Sequence, residues 1–219
     1  MSTSVSLAPP PAINSRPALL LVGAQEPLAE PILSRLRHDG HEVRAIASHD
    51  APALEAALGS GTRWDALVTL TPAGRSNLLF DEIDDDAFDA ALDSQLLSAV
   101  VTAQAVLPHL NDGAHIVHVG SRGHQGAWGG AHQMAASAAL VAMTRSMALE
   151  LQPEGYYVNM VASEFIEGRQ DSPQNREAVA HAVSMLAAPQ SGITGQCLVI
   201  DGLASLRMSE ARQLMAAPT

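Results

Sequence analysis

The stretch that decides the fold is His115–Glu167, HIVHVGSRGHQGAWGGAHQMAASAALVAMTRSMALELQPEGYYVNMVASEFIE. Within it, the apolar run Ile116–Val119 predicts a short buried strand, and the glycine-rich loop Ser121–Gly130 follows that strand. The segment Ala131–Leu151 contains no proline and is rich in alanine, which predicts a long helix. Residues Tyr157–Ala162 predict a second strand. A strand, a helix of this length and another strand form a right-handed crossover in a parallel sheet.

The flanking segments continue the same alternation of strands and helices. The predicted strands are Ala18–Val22, His41–Ser48, Ala66–Leu70 and Gln196–Ile200, and the predicted helices are Pro27–His38, Ala51–Leu58, Ala87–Leu110 and Arg176–Ala188. Only one short helix fits between the second and third strands, so no further strand is expected there. We therefore predict a single Rossmann-like α/β domain, residues 18–206, with a doubly wound parallel sheet of about six strands.

Short segments outside this domain have a different composition. Residues 1–17 are rich in Pro, Ser and Ala and are expected to form a flexible arm. Residues 207–219 form a C-terminal extension, in which Ser209–Ala217 predicts a short helix. The arm lacks the pattern of a signal peptide, and the longest apolar run, Ala18–Ala24, is too short to span a membrane. We expect a cytoplasmic protein.

Composition excludes several classes of function. Hydrophobic residues make up 47 % of the 219 residues and aromatic residues only 3 %, so the core is built from small aliphatic side chains, as suits a parallel sheet covered by helices. The formal net charge of −11 argues against nucleic acid and against an anionic membrane as partners. The single cysteine, Cys197, lies in the last predicted strand and excludes a disulfide within the chain.

The predicted crossover resembles the short-chain dehydrogenase/reductase family. The resemblance lies in IVHVGS at the strand and its serine, in ASAALVAMTRSMALEL along the helix, and in YYVNMVA in the next strand. Near the end, Ile193–Gln196 through Asp201–Gly202 is similar to the family's ITGQ…VDG ending, and the likeness extends from about Ala18 to Leu206. The resemblance implies a Rossmann fold, an NAD(P)H cofactor, and catalysis by a tyrosine with a lysine four residues later.

The resemblance also implies that this catalytic pair is replaced. When the helix is aligned on Thr144–Ser146, Gln133 stands at the tyrosine position and Ser137 at the lysine position. A shift of one residue puts His132 and Ala136 there instead. Neither frame supplies a lysine, and none exists in the chain, because all twelve basic residues are arginine. Glutamine and serine cannot replace the proton relay of a tyrosine–lysine pair.

Of the family's other catalytic positions, Ser121 matches the serine, and Gln95 stands where the asparagine is usual. The remnant catalytic positions are therefore Ser121, Gln133, Ser137 and Gln95. The only tyrosines, Tyr156 and Tyr157, lie at the start of a strand. We expect no catalytic residues of the family type.

The cofactor motif of the family is also incomplete. Where the family has TGxxxGxG, only Gly23 remains, while Pro27 and Ala29 occupy the other glycine positions. The three glycines normally let backbone N–H groups approach the diphosphate. Glu26 adds a negative charge at that place, and Ser48 replaces the acidic residue expected at the ribose. We expect no bound cofactor, with Gly23 as a remnant position, unless the chain is an oxidoreductase that uses NAD(P)H.

Two other kinds of site are considered near Ser121. The histidines at 115, 118, 124 and 132 surround it in sequence, but His115 and His118 are three residues apart on a strand and should face opposite sides. No metal site is expected, and the acidic run Asp81–Asp86 is interpreted as helix capping. Ser121 with His124 or His132 could form a nucleophile and base, and Trp128 could contact a ligand or plug the cleft.

These observations favour a catalytically inactive subunit of the family, a structural or regulatory partner in a hetero-oligomer with an active member. The partner, a homologous subunit or a second copy, would bind through helices 87–110 and 131–151. The expected outward face consists of Met134, Ala138, Val141 and Ala142 together with Leu97, Val101 and Ala105. One alternative is new non-redox chemistry, a lyase, cyclase or hydrolase using Ser121 and a histidine. The other is an NAD(P)H-dependent oxidoreductase with altered motifs.

Overall fold

The computed structural model describes residues 16–59, 61–72, 76–163 and 172–202. Nearly all of the predicted arm, the C-terminal extension 207–219 and most of the polar segment that follows the Tyr157 strand lie outside the described residues. The domain limits and the helix predicted at Ser209–Ala217 therefore stay predictions.

Six parallel strands form one sheet, as the sequence predicts. Their order is β2-β1-β3-β4-β5-β6. Their bounds are Ala18–Val22 (β1), Glu42–Ile46 (β2), Trp64–Leu70 (β3), Leu110–Ser121 (β4), Tyr157–Ser163 (β5) and Cys197–Ile200 (β6). In the described part of the chain, β2 is the edge strand, and only one helix connects it to β3, so the prediction that no further strand fits there is confirmed.

The helices lie on both faces of the sheet. Their bounds are Ala29–His38 (α1), Ala51–Leu58 (α2), Asp85–Leu92 (α3), Ser98–Val106 (α4), Ala131–Glu150 (α5) and Pro173–Ala187 (α6). A π-helical turn, Asp93–Leu97, joins α3 to α4, so the single helix predicted at 87–110 is one helical stretch with a widened turn. Such turns interrupt the regular hydrogen-bond ladder and often occur at functional sites.

Local capping explains where two of these helices begin. The Asp50 carboxylate accepts a hydrogen bond from the Ala53 N–H at 2.9 Å, and Asp84 accepts one from the Ala87 N–H at 2.8 Å. Both bonds satisfy amides that have no partner within the helix. The acidic run is therefore a cap for α3, as predicted. Helix α1 begins at Ala29 rather than Pro27, because the Ala29 N–H bonds back to the Glu26 carbonyl in a preceding turn.

The sheet is buried on both faces. One layer contains Leu19, Val68 and Val117 packed with residues of α1 and α6, and the other contains Leu20, Leu67 and Ile116 packed with residues of α2, α4 and α5. All six of these side chains are inaccessible to solvent. Burial on both faces explains why the strands read as continuous apolar runs.

The helical stretch Asp85–His109 is long and apolar enough, by length and composition, to cross a membrane. In the fold, its residues Ala99, Ala103 and Val106 are buried against the sheet and neighbouring helices. A core helix passes the same test of length and composition. Cytoplasmic location stays a prediction.

The topology defines where a ligand can bind. From β1 the chain passes through α1 to β2 on one side, whereas from β3 it passes through α3 and α4 to β4 on the other. The order of strands therefore reverses between β1 and β3. In open α/β sheets, ligands bind outside the carboxyl ends of the strands at such a reversal.

Candidate functional site

A cleft lies at the carboxyl ends of four strands. It is lined by residues that follow or end β1, β3, β4 and β5: Glu26, Pro27, Leu28, Leu70, Thr71, Val119, Gly120 and Ser163. The cleft therefore begins at the reversal between β1 and β3 and extends toward β5. This is the position at which the fold class binds its ligands.

The turn after β1 is shaped by contact with its neighbours. Gly23 has a φ of +92°, and a Cβ added there would lie 2.4 Å from the Leu70 carbonyl oxygen. Only glycine fits this conformation and this close approach. The remnant glycine of the cofactor motif is thus required for β1 to turn beside β3, with or without a ligand.

Three amides of this turn are already hydrogen-bonded within the protein. The N–H groups of Gly23 and Ala24 both bond to the Ile46 carbonyl, at 3.1 and 2.9 Å. The N–H of Glu26 bonds to Gly23, and Pro27 has no N–H to offer. A diphosphate needs free N–H groups at this place, and these three amides are not available to one.

The opposite end of the cleft has a polar group without a partner. Ser163 is 1 % exposed, and its hydroxyl makes no hydrogen bond in the part of the chain that the structure describes. Gly120 lies beside it in the cleft wall, and a Cβ there would come within 3.2 Å of Thr71 Oγ1. A buried hydroxyl without a hydrogen-bond partner destabilises the fold unless a ligand or a water molecule bonds to it. Ser163 therefore offers one buried hydroxyl at this end of the cleft.

Ser121 ends β4 beside the cleft. Its hydroxyl accepts a hydrogen bond from the Gly123 N–H at 3.1 Å, which leaves the hydroxyl proton available to a ligand. A Cβ on Gly123 would lie 3.0 Å from Ser137 Oγ and 2.9 Å from Met134 Sδ. The loop after Ser121 therefore packs directly on α5 at the position where the family has its lysine.

Two of the four remnant positions, Ser137 and Gln95, are in contact, and a third, Ser121, begins the loop that packs on Ser137. The Ser137 hydroxyl donates to Gln95 Oε1 at 3.0 Å, and both side chains are buried. Gln95 lies in the π-helical turn between α3 and α4, and Ser137 faces the loop of Ser121. The fourth, Gln133, is half-buried, and its Oε1 accepts a hydrogen bond from the Ser76 N–H at 2.6 Å. The assignment of Gln133 and Ser137 to the tyrosine and lysine positions stays a prediction.

The histidines do not form a common site. His115 Nδ1 bonds to the Leu186 carbonyl of α6 at 2.9 Å, and its ring stacks on Tyr157. His118 Nδ1 bonds to Thr69 Oγ1 at 2.7 Å on the opposite face of the sheet, as the spacing predicts. Among the described residues there is no group of three or more ligands that could hold a metal.

The Ser121 nucleophile hypothesis gains no support from the geometry. Within the described ranges, no hydrogen bond joins the Ser121 hydroxyl to His124 or His132, and Nδ1 of each of these histidines is buried without a partner. Trp128 is 81 % exposed. The prediction that it could plug the cleft is therefore wrong, because its side chain points into solvent.

His49, which the sequence analysis missed, lies at the crevice between β1 and β3. Its ring bonds to Thr102 Oγ1 and to the Leu70 carbonyl, both at 2.8 Å. A Cβ on Gly23 would lie 3.2 Å from its Nε2. Burial lowers the pKa of His49. The one sequence signal was its place directly after Ser48, the position expected to hold the ribose.

Comparison with known proteins identifies the family. A family model described as enoyl-(acyl carrier protein) reductase matches residues 51–177. The short-chain reductase protein NovJ of Streptomyces niveus is 26 % identical over 84 % of this chain and 83 % of its own. The 3-oxoacyl-[acyl-carrier-protein] reductase FabG of Rickettsia conorii is 28 % identical over 78 % of this chain and 79 % of its own. A short-chain dehydrogenase/reductase structure from Serratia marcescens is 28 % identical, with a TM-score of 0.72, over 85 % and 96 %. The chain belongs to the short-chain dehydrogenase/reductase family.

These relatives correct the expected function. The matched proteins are reductases and dehydrogenases, so the prediction of a catalytically inactive structural or regulatory subunit is wrong. The error came from equating loss of the tyrosine–lysine pair with loss of the site, whereas the cleft, Ser121 and the contacts around Ser137 are present. The family typically binds NAD(P)H, and BdcA, a neighbour with 19 % identity and a TM-score of 0.71 over 85 % of this chain and 93 % of its own, was solved with NADPH.

Proposed function

We propose that this chain is an NAD(P)H-dependent oxidoreductase with altered catalytic residues, which interconverts a carbonyl and an alcohol. The observation that carries the proposal is the position of Ser121, with a free hydroxyl proton, beside a cleft that ends at the unpartnered hydroxyl of Ser163. A 3-oxoacyl thioester is the substrate class we propose, because several matched relatives are named as 3-oxoacyl-[acyl-carrier-protein] reductases.

The residues at the β5 end of the cleft would hold the nicotinamide. Ser163 supplies a buried hydroxyl for the carboxamide, and Gly120 lies beside it in the cleft wall. When bound, this cofactor supplies or accepts a hydride, chemistry that no side chain provides. The protein contributes position and the exclusion of water, since Leu70 and Val119 make the neighbouring wall apolar.

In this proposal, two side chains hold the substrate carbonyl. The Ser121 hydroxyl accepts from the Gly123 N–H and can donate its own proton to the carbonyl oxygen. Gln133 uses Oε1 to accept from the Ser76 N–H, which leaves its Nε2 as a second donor. Both groups stabilise negative charge on oxygen as it develops.

Neither side chain is an acid of suitable strength, so the proton comes from solvent. A positioned general acid contributes roughly 10²–10⁴ in rate, and this enzyme lacks that contribution. Turnover should therefore be slow compared with family members that have the tyrosine. The Ser137–Gln95 hydrogen bond fixes Ser137, against which Gly123 of the Ser121 loop packs. In this proposal the bond positions Ser121 and does not touch the reacting atoms.

The test is nucleotide-dependent reduction by the purified full chain. NADH and NADPH oxidation is followed with an acetoacetyl thioester, and the 3-hydroxy product is identified by mass spectrometry. Ser121→Ala should lower kcat/KM by about 100-fold, the cost of one donor to a developing oxyanion.

Ser191→Ala is the matched control. Ser191 accepts from the Ile193 N–H two residues later, the same local bond that Ser121 makes, but it precedes β6 at the opposite end of the strands. It should leave kcat/KM unchanged. Equal activity of the two variants would remove Ser121 from the mechanism, and absence of any nucleotide-dependent product would overturn the proposed function.

A further inference from the structure

The crevice between the ends of β1 and β3 is filled by a side chain of the protein itself. The His49 ring reaches from the end of β2 across Gly23 and bonds to the Leu70 carbonyl at 2.8 Å. It is fixed from α4 as well, through Thr102 Oγ1 at 2.8 Å. This crevice is where a dinucleotide crosses from one half of a doubly wound sheet to the other.

Both hydrogen bonds suit a neutral imidazole. A carbonyl can only accept, so Nε2 carries the proton and donates to Leu70. Nδ1 is then an acceptor for the Thr102 hydroxyl. Because burial lowers the pKa of His49, the ring remains neutral and both bonds persist at pH 7.

The surroundings of His49 offer little to an adenosine group. The edge of the sheet ends at β2 in the described residues, so no further strand covers that side. The N–H groups of Gly23 and Ala24 are both bonded to the Ile46 carbonyl. In contrast, the open cleft lies on the other side of the crevice, from Leu28 to Ser163.

We propose that the site accepts only the nicotinamide mononucleotide half of the cofactor, with His49 occupying the place of the adenosine half. The inference rests on the proposed function, because it concerns the same cofactor. Glu26 lines the cleft, and its carboxylate would act on any phosphate-bearing ligand. That effect is common to the mononucleotide and the dinucleotide, so it does not alter their ratio.

The test compares two probes on the full chain, reduced nicotinamide mononucleotide and NADH, by fluorescence titration at pH 7.5. We expect dissociation constants within about threefold of each other, since the adenosine half gains no contacts. AMP should not displace the bound mononucleotide. This comparison of probes uses the unmodified protein, so it remains informative even if substitutions unfold the chain.

His49→Ala should open the crevice and strengthen NADH binding by about tenfold, with mononucleotide binding unchanged. His41→Ala is the control, since His41 is also buried but lies before β2, at the other end of that strand. NADH binding at least tenfold tighter than mononucleotide binding in the wild type, or displacement by AMP, would overturn this inference alone. Unchanged NADH affinity in His49→Ala would remove His49 as the cause. Failure of both probes to bind would overturn the proposed function together with this inference.

Discussion

His118 is the buried residue whose ionisation should most affect stability. It is inaccessible to solvent, and its only hydrogen bond in the described chain joins Nδ1 to Thr69 Oγ1. Burial, and secondarily the nearby His49, lower the pKa of His118 to about 4. The ring is therefore neutral in the folded protein at pH 5, whereas an exposed histidine in the unfolded chain is largely protonated there.

The sign of the pH effect follows from this difference. Because the folded-state pKa lies below the unfolded value of 6.5, the contribution of His118 is fully present above pH 6.5 and is lost as the pH falls to 4. Its size is on the order of 3 kcal/mol in the free energy of unfolding. Urea unfolding of His118→Asn between pH 7 and 4.5 should show a weaker loss of stability than the wild type.

His181→Asn is the control for this prediction, since His181 is exposed on α6. It should leave the pH dependence of the unfolding free energy as it is in the wild type. Identical curves for His118→Asn and the wild type would mean that His118 does not drive the acid sensitivity.

At the scale of elements, the site depends on the junction between α5 and the π-helical turn. The Ser137 hydroxyl donates a buried hydrogen bond to the side-chain oxygen Oε1 of Gln95. The two residues are 42 positions apart in sequence. Gln95 lies in the π-helical turn Asp93–Leu97, and this turn therefore carries the contact with Ser137. A regular α-helix would continue the 3.6-residue period without this widening.

A double-mutant cycle measures this junction. Ser137→Ala and Gln95→Leu, alone and combined, should give a coupling free energy of unfolding of about 1 kcal/mol, as is typical of a buried hydrogen bond. Ser94→Ala is the comparison, because its hydroxyl bonds only to carbonyls of its own helical stretch. It should show no coupling with Ser137→Ala, and a coupling of Ser137 with Gln95 no larger than this would contradict the geometry.

At the scale of the whole molecule, we predict self-association through an apolar face on α5 and the preceding helical stretch. Leu97 and Val101 are 49 % and 43 % exposed, and Ala138 and Ala142 are exposed beside small side chains. Val141, expected in this face, is only 7 % exposed and belongs to the core with Leu140 and Met160. That part of the predicted face is wrong, because the residue turns toward the sheet. A second copy or a homologous subunit as the occupant stays a prediction.

The test of this face is Ala138→Arg. Light scattering after size exclusion should show the wild type as a dimer or larger and the variant as a monomer, with the thermal midpoint of the isolated domain unchanged. A charge on a small-residue helix contact prevents close approach of the helices. Ala178→Arg, on an exposed position of α6 at the other face of the sheet, should keep the oligomer. A monomeric wild type would contradict the prediction.

Much of the fold follows from the sequence, because the deciding forces are local. The apolar runs and helical periods place β1 and α2 at their observed bounds, and the short connection after β2 excludes another strand. The Asp50 and Asp84 caps lie three residues from their partners.

Only the tertiary structure decides how distant residues share the site. The crevice between β1 and β3 is filled by His49, whose ring bonds to residues that lie 21 and 53 positions away in sequence. Trp128 is exposed to solvent instead. The unpartnered hydroxyl of Ser163 and the inward turn of Val141 likewise depend on neighbouring strands and helices. Hydrophobic period shows which residues are buried, but a buried polar group is satisfied by whichever donor or acceptor the packing brings within reach. For that reason the sequence pattern determines the strands, the helices and their order. Long-range packing determines what the cleft can hold.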